Sequence, residues 1–329
     1  MIRQFNADTV FMLAPQRHGS NKSQSLLSGN HPDLFGPYPP IPRTAFVELE
    51  NKLADNLLSE IVLNANLSPR SVCENQHEIT AAETHAELTA RNLPVNTFGI
   101  MTSIYHIGAR HSGQQNTRIL CKSPDNLDVA EQYAHEINDA IFVHIIRDPR
   151  AVWNSGRGTP RGDQTPHKAA LKWENYHLRA KKLADKFPVI TIKYEDLMKE
   201  TEAQLKRFCE FLQIDFFPEM MHGHHSQDAK DAAKVNPGLW GNLDKPVLQE
   251  RADAWRKELP ERDIYVIENT CRSTMATFGY QCESQASELT QEDMELAPDV
   301  MSKAPVEEPR KHQLIHLNHI KRKLHSNSE

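Results

Sequence analysis

Residues 10–22 read Val-Phe-Met-Leu-Ala-Pro-Gln-Arg-His-Gly-Ser-Asn-Lys, and this stretch decides the fold class. Its first five residues, VFMLA, form a short continuous apolar run bounded by Pro15 and Gly19, as in a strand buried on both faces. The polar turn 15–22 follows, and residues 23–28 continue as a helix. Strand, tight turn and helix make the first half of a βα unit. Further strands are expected at 118–122 (RILCK), 140–146 (AIFVHII) and 189–192. Helical patterns lie at 46–64, 79–92, 129–138, 167–186, 201–212 and 253–279. Strands alternating with helices indicate a three-layer α/β fold with a mainly parallel central sheet. In such sheets ligands sit beyond the carboxyl ends of the strands. The Pro-dense stretch 32–42 is expected to be a surface loop or lid without regular structure.

Composition narrows the function classes. Lys and Arg number 38 against 44 Asp and Glu, a net charge of −6. That balance argues against a nucleic-acid polymer as partner, while leaving room for a basic pocket that takes a small anion. No run approaches the 18 apolar residues of a membrane span, and residues 1–9 do not resemble a signal peptide. A cytoplasmic location is expected. The five cysteines are widely spaced, so free thiols in a reducing compartment are expected rather than a zinc module. Beyond residue 283 the composition changes. Residues 284–308 carry seven acids and one base, and residues 309–329 carry five bases, four His and one acid. The reading is a domain over 1–283 and a flexible charged tail over 284–329, with a short helix near 313–324.

Two clusters carry chemistry. In the first, backbone N–H groups at a helix start favour an anion, and Gly19 allows close approach. Arg17 and Lys22 add cations, and Ser20 and Asn21 add donors. A Walker loop needs Gly six residues and one residue before its Lys. Those positions hold Gln16 and Asn21, which disfavours an ordinary nucleoside triphosphatase. The second cluster is Arg147-Asp148-Pro149-Arg150-Ala151-Val152-Trp153-Asn154-Ser155, with Pro149 at an allowed first-turn position. Arg147 and Ser155 can clamp one phosphate from two sides; the bland alternative is a solvated Arg147–Asp148 pair.

Pro-x-Arg-x-Gly-Ser after an N-terminal strand, then Arg-Asp-Pro-Arg-Ala-Val-x-x-Ser, then Tyr194-Glu195-Asp196-Leu197 resembles the PAPS-dependent sulfotransferases. The closing Trp255-Arg256-x-x-Leu259, Glu268 and Phe278-Gly279-Tyr280 is similar to bacterial members. The resemblance covers residues 8–282, with a weak middle between 35 and 115. It implies a P-loop NTPase-like sulfotransferase architecture that moves a sulfuryl group from PAPS to a hydroxyl or amine and releases PAP. It places the 5′-phosphosulfate on the first loop (Arg17, His18, Gly19, Ser20, Asn21, Lys22) and the 3′-phosphate on Arg147 and Ser155. Tyr194 falls near the adenine. Lys122-Ser123-Pro124 resembles the family's Lys-Thr-Pro turn, making Lys122 with Arg17 the catalytic pair.

Some residues depart from the family pattern. His18 and Lys22 are unusual in the loop, and Lys22 either reaches the phosphosulfate or points to solvent. No general base is assigned; His31, Asp33 and Asp125 are candidates, each more in keeping with a structural role. His222, His224 and His225 form a dense trio without a fourth ligand nearby in sequence, so no metal is expected. Trp173 and Tyr176 suit a core better than a site. The loop 156–166 either closes over a ligand or serves only as surface, and Lys245-Pro246 is a further candidate phosphate contact. The acceptor expected is a small or intermediate molecule. Two other functions compete: a nucleotide-dependent kinase with a degenerate phosphate loop, and a catalytically silent PAP-binding protein.

Overall fold

The structure is a computed structural model that describes residues 9–36, 58, 61–62, 79–114, 118–123, 126–133, 140–159, 163–225, 229–230, 234, 244–245 and 252–295. Most of the expected helix 46–64, all of the one at 313–324, and Pro124, Asp125 and Pro246 lie outside these residues.

Five strands form one parallel sheet: β1 (Thr9–Leu13), β2 (Leu34–Phe35), β3 (Arg118–Lys122), β4 (Ile141–Ile146) and β5 (Val189–Lys193). Their order is β2-β3-β1-β4-β5. Between and after them run α1 (Ser20–Leu27), α2 (Ala81–Ala90), α3 (Thr97–His111), α4 (Asn126–Tyr133), α5 (Pro149–Gly156) and α6 (Pro166–Leu183). The chain then forms α7 (Tyr194–Lys199), α8 (Thr201–Leu212), a 3-10 helix (Pro218–His225), α9 (Trp255–Glu258), α10 (Glu261–Thr277) and α11 (Gln291–Glu295).

The two-residue period of a strand sorts the apolar side chains into layers. Phe11, Leu13, Ile119, Cys121 and Phe142 face α2, α3 and the end of α6. Val10, Met12, Leu120, Val143 and Ile192 face α1, α7 and α8. A third cluster packs α5, α9 and α10 around Trp153, Trp173 and Trp255. This is the expected three-layer α/β arrangement with a parallel sheet.

Two elements differ from expectation. Leu34–Phe35, inside the Pro-dense stretch, pairs with Arg118 and Ile119 as an edge strand; an edge position tolerates neighbouring prolines because only one side of the strand is bonded. The chain past residue 283 also still contacts the body. Ser284 N and Oγ both donate to Glu268, and α11 follows with Asp293 bound to Arg262.

The closing segment is tied in by a buried ion group. Arg150 donates to both oxygens of Asp148, at 2.9 and 2.6 Å, and to Glu268 at 2.5 Å. Its guanidinium also lies 3.9 Å above the Trp255 ring. Asp148 is therefore the partner of Arg150, not of Arg147. Removing one member of a buried ion group leaves the rest uncompensated, at a cost of about 3–5 kcal/mol. Glu268→Ala is thus expected to lower Tm by on the order of 10 °C. Thermal unfolding followed by circular dichroism checks this, and an unchanged Tm would show that the group does not support the fold.

Candidate functional site

The register of the sheet sets the carboxyl ends of four strands side by side. Met12 lies beside both Lys122 and Val143, and Ile146 lies beside Lys193. The turns that follow therefore open at one edge, bringing residues 14–21, Lys122, Arg147 and Tyr194 together.

Gly19 is the N-cap of α1, and no side chain caps the helix there. By contrast, α5, the helix after β4, has its first turn closed by Asp148, which accepts from Arg150 N at 2.9 Å. Among the described residues no side chain closes the start of α1, and such a helix start favours an anion. Only glycine fits at position 19. Its φ is +75°, and a Cβ there would sit 2.1 Å from Cε2 of Tyr194. The backbone thus lies flat against the tyrosine ring. Arg17, also at positive φ (70°), sends Nη2 to the carbonyl of Ser155. Its buried Nε has no partner among the described residues.

Arg147 joins from β4. Its Nη1 donates to the Arg17 carbonyl at 3.1 Å, and its guanidinium stands 4.7 Å from the centroid of Tyr194. Trp173 Nε1 donates to the Arg147 carbonyl at 2.8 Å and so fixes the turn from behind. Burial and the charge of Arg147 both pull the Arg17 pKa below its ordinary value. Two guanidiniums held this close disfavour one another unless an anion joins them. From β3, Lys122 Nζ donates to Asn21 Oδ1. Contacts thus bring Arg17, Gly19, Asn21, Lys122, Arg147, Ser155 and Tyr194 together at one edge of the sheet, the mouth of the candidate site.

Two loop residues point elsewhere. Lys22 is buried and donates to the Lys245 carbonyl at 2.5 Å. Burial lowers its pKa to about 8, and Asp244 opposes the shift. It does not point to solvent. His18 turns beneath the loop into the core. Its Nδ1 meets Gln16 O at 3.0 Å, and its Nε2 meets Nε2 of His177 at 3.0 Å. His177 Nδ1 in turn meets His144 Nε2 at 2.7 Å, and His144 Nδ1 meets Thr191 Oγ1 at 3.2 Å. A carbonyl only accepts, so the neutral chain has one proton order: Thr191 donates to His144, His144 to His177, His177 to His18, and His18 to Gln16 O. With both ring nitrogens engaged, His18 offers nothing to the mouth; it holds the Gln16 carbonyl one residue before Arg17.

His31 is similarly occupied, with Nδ1 accepting from Asp33 N at 2.9 Å and Nε2 donating to Asp215 O at 3.0 Å. The sequence reading also missed the strut between the second and third motifs. Glu195 accepts from Asp148 N and from the Tyr280 hydroxyl, both at 3.0 Å. Burial raises its pKa, and the carboxylate locks the helix starts after β4 and β5 to each other. Its signal in the sequence is the acid of Tyr194-Glu195-Asp196-Leu197, directly after the tyrosine that follows β5.

No helix among the described residues is long and apolar enough to cross a membrane. The chain is 25% identical to mouse carbohydrate sulfotransferase 4, over 50% of this chain and 47% of the relative, so it spans about half that protein's length. Two solved structures share the fold. One is the sulfotransferase domain of the curacin biosynthetic pathway (TM-score 0.56, 18% identity, covering 83% of this chain and 97% of that one). The other is the sulfotransferase domain of the olefin synthase of Synechococcus PCC 7002 (TM-score 0.54, 20% identity, 85% and 96%). The family model described as "Sulfotransferase family" matches residues 9–219, from the first strand through the helices that follow β5. Since that match takes in more than half of the chain and every strand around the mouth, this chain belongs to the sulfotransferase family.

Proposed function

We propose that the chain transfers a sulfuryl group from PAPS to a hydroxyl or amine acceptor and releases PAP. The observation that carries this reading is the convergence of Arg17 and Arg147 beside Gly19 and Tyr194: Arg147 Nη1 holds the Arg17 carbonyl, its charge pulls the Arg17 pKa down, and a buried Arg17 nitrogen is still to be satisfied among the described residues. This donor set suits an anion with two phosphate groups. The uncapped start of α1, with Ser20 and Asn21, takes the phosphosulfate; Arg147 and Ser155 take the 3′-phosphate; the Tyr194 ring lies beside the base. The donor is a substrate here, and these residues fit its charge and its flat ring.

In the reaction the acceptor atom forms a bond to sulfur while the bond from sulfur to the 5′-phosphate oxygen breaks. PAP leaves with the electron pair, and the acceptor loses a proton. By analogy with loose phosphoryl transfer, the protein's task is to position the groups and neutralise charge on the leaving oxygen. Arg17, Lys122 and the α1 amides meet that need without a metal. The mouse relative named for carbohydrate sulfation is consistent with a hydroxyl acceptor.

Two charge-assisted hydrogen bonds to the 3′-phosphate, each contributing ~1.5–3 kcal/mol, would favour PAP over ADP by roughly 10²–10⁴. Calorimetry of PAP, ADP and ATP with EDTA present tests the reading directly. Tight PAP binding and weak ADP and ATP binding are expected. Arg147→Ala should weaken PAP while leaving ADP almost unchanged. A preference for ATP that returns only with magnesium would replace the transferase reading with a kinase. PAP binding without turnover on any acceptor or water would leave a silent binder.

A further inference from the structure

The 3-10 helix Pro218–His225 gathers His222, His224 and His225 so that one ligand atom from each lies within 4.8 Å of the others. The ring centroids of His224 and His225 are 4.0 Å apart, and those of His222 and His225 5.6 Å. His222 and His225 are exposed at the surface, whereas His224 is 7% exposed. The buried Nδ1 of His224 has no hydrogen-bond partner among the described residues. A polar nitrogen buried in that way is unfavourable, and ligation of a cation satisfies it.

The carboxylate of Asp244, 19 residues beyond His225, lies within electrostatic reach of both His224 and Lys22. Lys22 is itself bonded to the next residue's carbonyl, Lys245 O, at 2.5 Å. Gly223 makes this gathering possible. A Cβ at position 223 would sit 1.8 Å from the Ser25 carbonyl, so only glycine lets the backbone of the 3-10 helix pack this closely on α1.

We propose that His222, His224 and His225 form a binding site for a divalent first-row transition metal of the zinc class, with the fourth position taken by water or by Asp244. Imidazole nitrogens suit zinc, copper and nickel and do not suit magnesium or calcium. Zinc holds its nitrogens at about 2.0–2.1 Å, which sets them roughly 3.3 Å apart in a tetrahedron; small rotations of the exposed His222 and His225 close the set. The site is separate from the sulfuryl-transfer mouth, on the flank of α1, and does not depend on the proposed reaction. Its effect is structural: the metal clamps the 3-10 helix beside the helix that follows the donor loop.

Cobalt(II) is the probe, because in a four-coordinate site it absorbs visible light and zinc displaces it. Titration of the full chain is expected to give one cobalt per chain, with the absorption band abolished by one equivalent of zinc, and a Tm raised by either metal. The double variant H222A/H225A changes two exposed side chains and should keep the fold, which circular dichroism verifies. It is expected to lose at least about tenfold in cobalt affinity, since even outer-shell changes cost 10–100-fold, and to lose the metal-dependent rise in Tm. The residues beyond 309 hold four more histidines, His312, His316, His319 and His325. Replacing those four with Ala should leave the band intact. An unchanged cobalt affinity in H222A/H225A, loss of the band in the tail variant, or no band in the wild-type chain would each overturn the proposal.

Discussion

Urea unfolding measured at successive pH values is expected to show stability falling steeply between pH 6.5 and 5, well above the range where carboxylates protonate. His18 and His144 are held to pKa values of about 3, and His177 well below its ordinary value. Burial is the main cause in each case, and the charges of neighbouring residues add to it. The folded-state values lie below the unfolded value of about 6.5. Above that pH the three rings are neutral in both states and their hydrogen-bonded chain is fully available. Below it the unfolded chain takes up protons that the folded chain cannot, so stability declines as pH falls and keeps declining towards pH 3. Each such group contributes a slope of about 1.4 kcal/mol per pH unit, and three together roughly 4. The slope is half of this at pH 6.5 and approaches it as the unfolded rings fill with protons, so the loss takes a large share of a typical total of about 5–15 kcal/mol. His106, also held to about 3 by burial, steepens the slope. A dependence of less than one proton across this window would mean that the rings are protonated in the folded chain, and the single proton order from Thr191 to Gln16 would fail with it.

That histidine chain shows where sequence reading reaches its limit. The inner strands were legible because a parallel strand buried on both faces is a nearly continuous apolar run, and the edge strand β5, buried on alternate residues, because of its β-branched run: 118–122 matches β3, and 10–14, 140–146 and 189–192 fall within a residue of β1, β4 and β5. Helix α8 matched its expected span, 201–212, because one apolar stripe faces the sheet. Helix α3 was not seen. Its residues 97–109 are all buried, so it has no polar face to set a 3.6-residue rhythm, and Gly99, Gly108, Thr102, Ser103 and His106 blur its apolar run. At the mouth, the residue types and their order along the chain marked Arg17, Gly19, Lys122, Arg147 and Tyr194, since each lies at or just past the carboxyl end of a strand. Partners from distant segments were invisible. His18 meets His177 across 159 residues and Arg150 meets Glu268 across 118, and nothing local distinguishes a buried histidine or arginine from a ligand-binding one. His18 was therefore placed with the donor groups when its ring serves the core.

Arg17→Ala and Lys122→Met are expected to lower turnover far more than they weaken PAP binding. Both side chains reach the mouth from opposite sides. Arg17 comes from the loop after β1, anchored through Nη2 on the Ser155 carbonyl, and Lys122 from the end of β3, held on Asn21. A cation aimed at a leaving oxygen acts mainly where charge develops, so its loss appears in kcat. Removal of one such preorganised donor costs about 10²–10³ in rate. On the proposed reading PAP affinity should fall less than the rate does, because Arg147, Ser155 and the α1 amides would remain to hold the phosphates. PAP release from PAPS, measured with water alone and with added hydroxyl and amine acceptors, reads the chemistry. Arg17→Lys separates charge from geometry: it keeps the cation but loses the fork that binds Ser155 O, and should recover only part of the rate. Wild-type turnover in Arg17→Ala or Lys122→Met would remove that residue from the transition state. Equal losses in PAP affinity and rate would instead make it a binding group, and the charge on the leaving oxygen would then fall to the amides of α1.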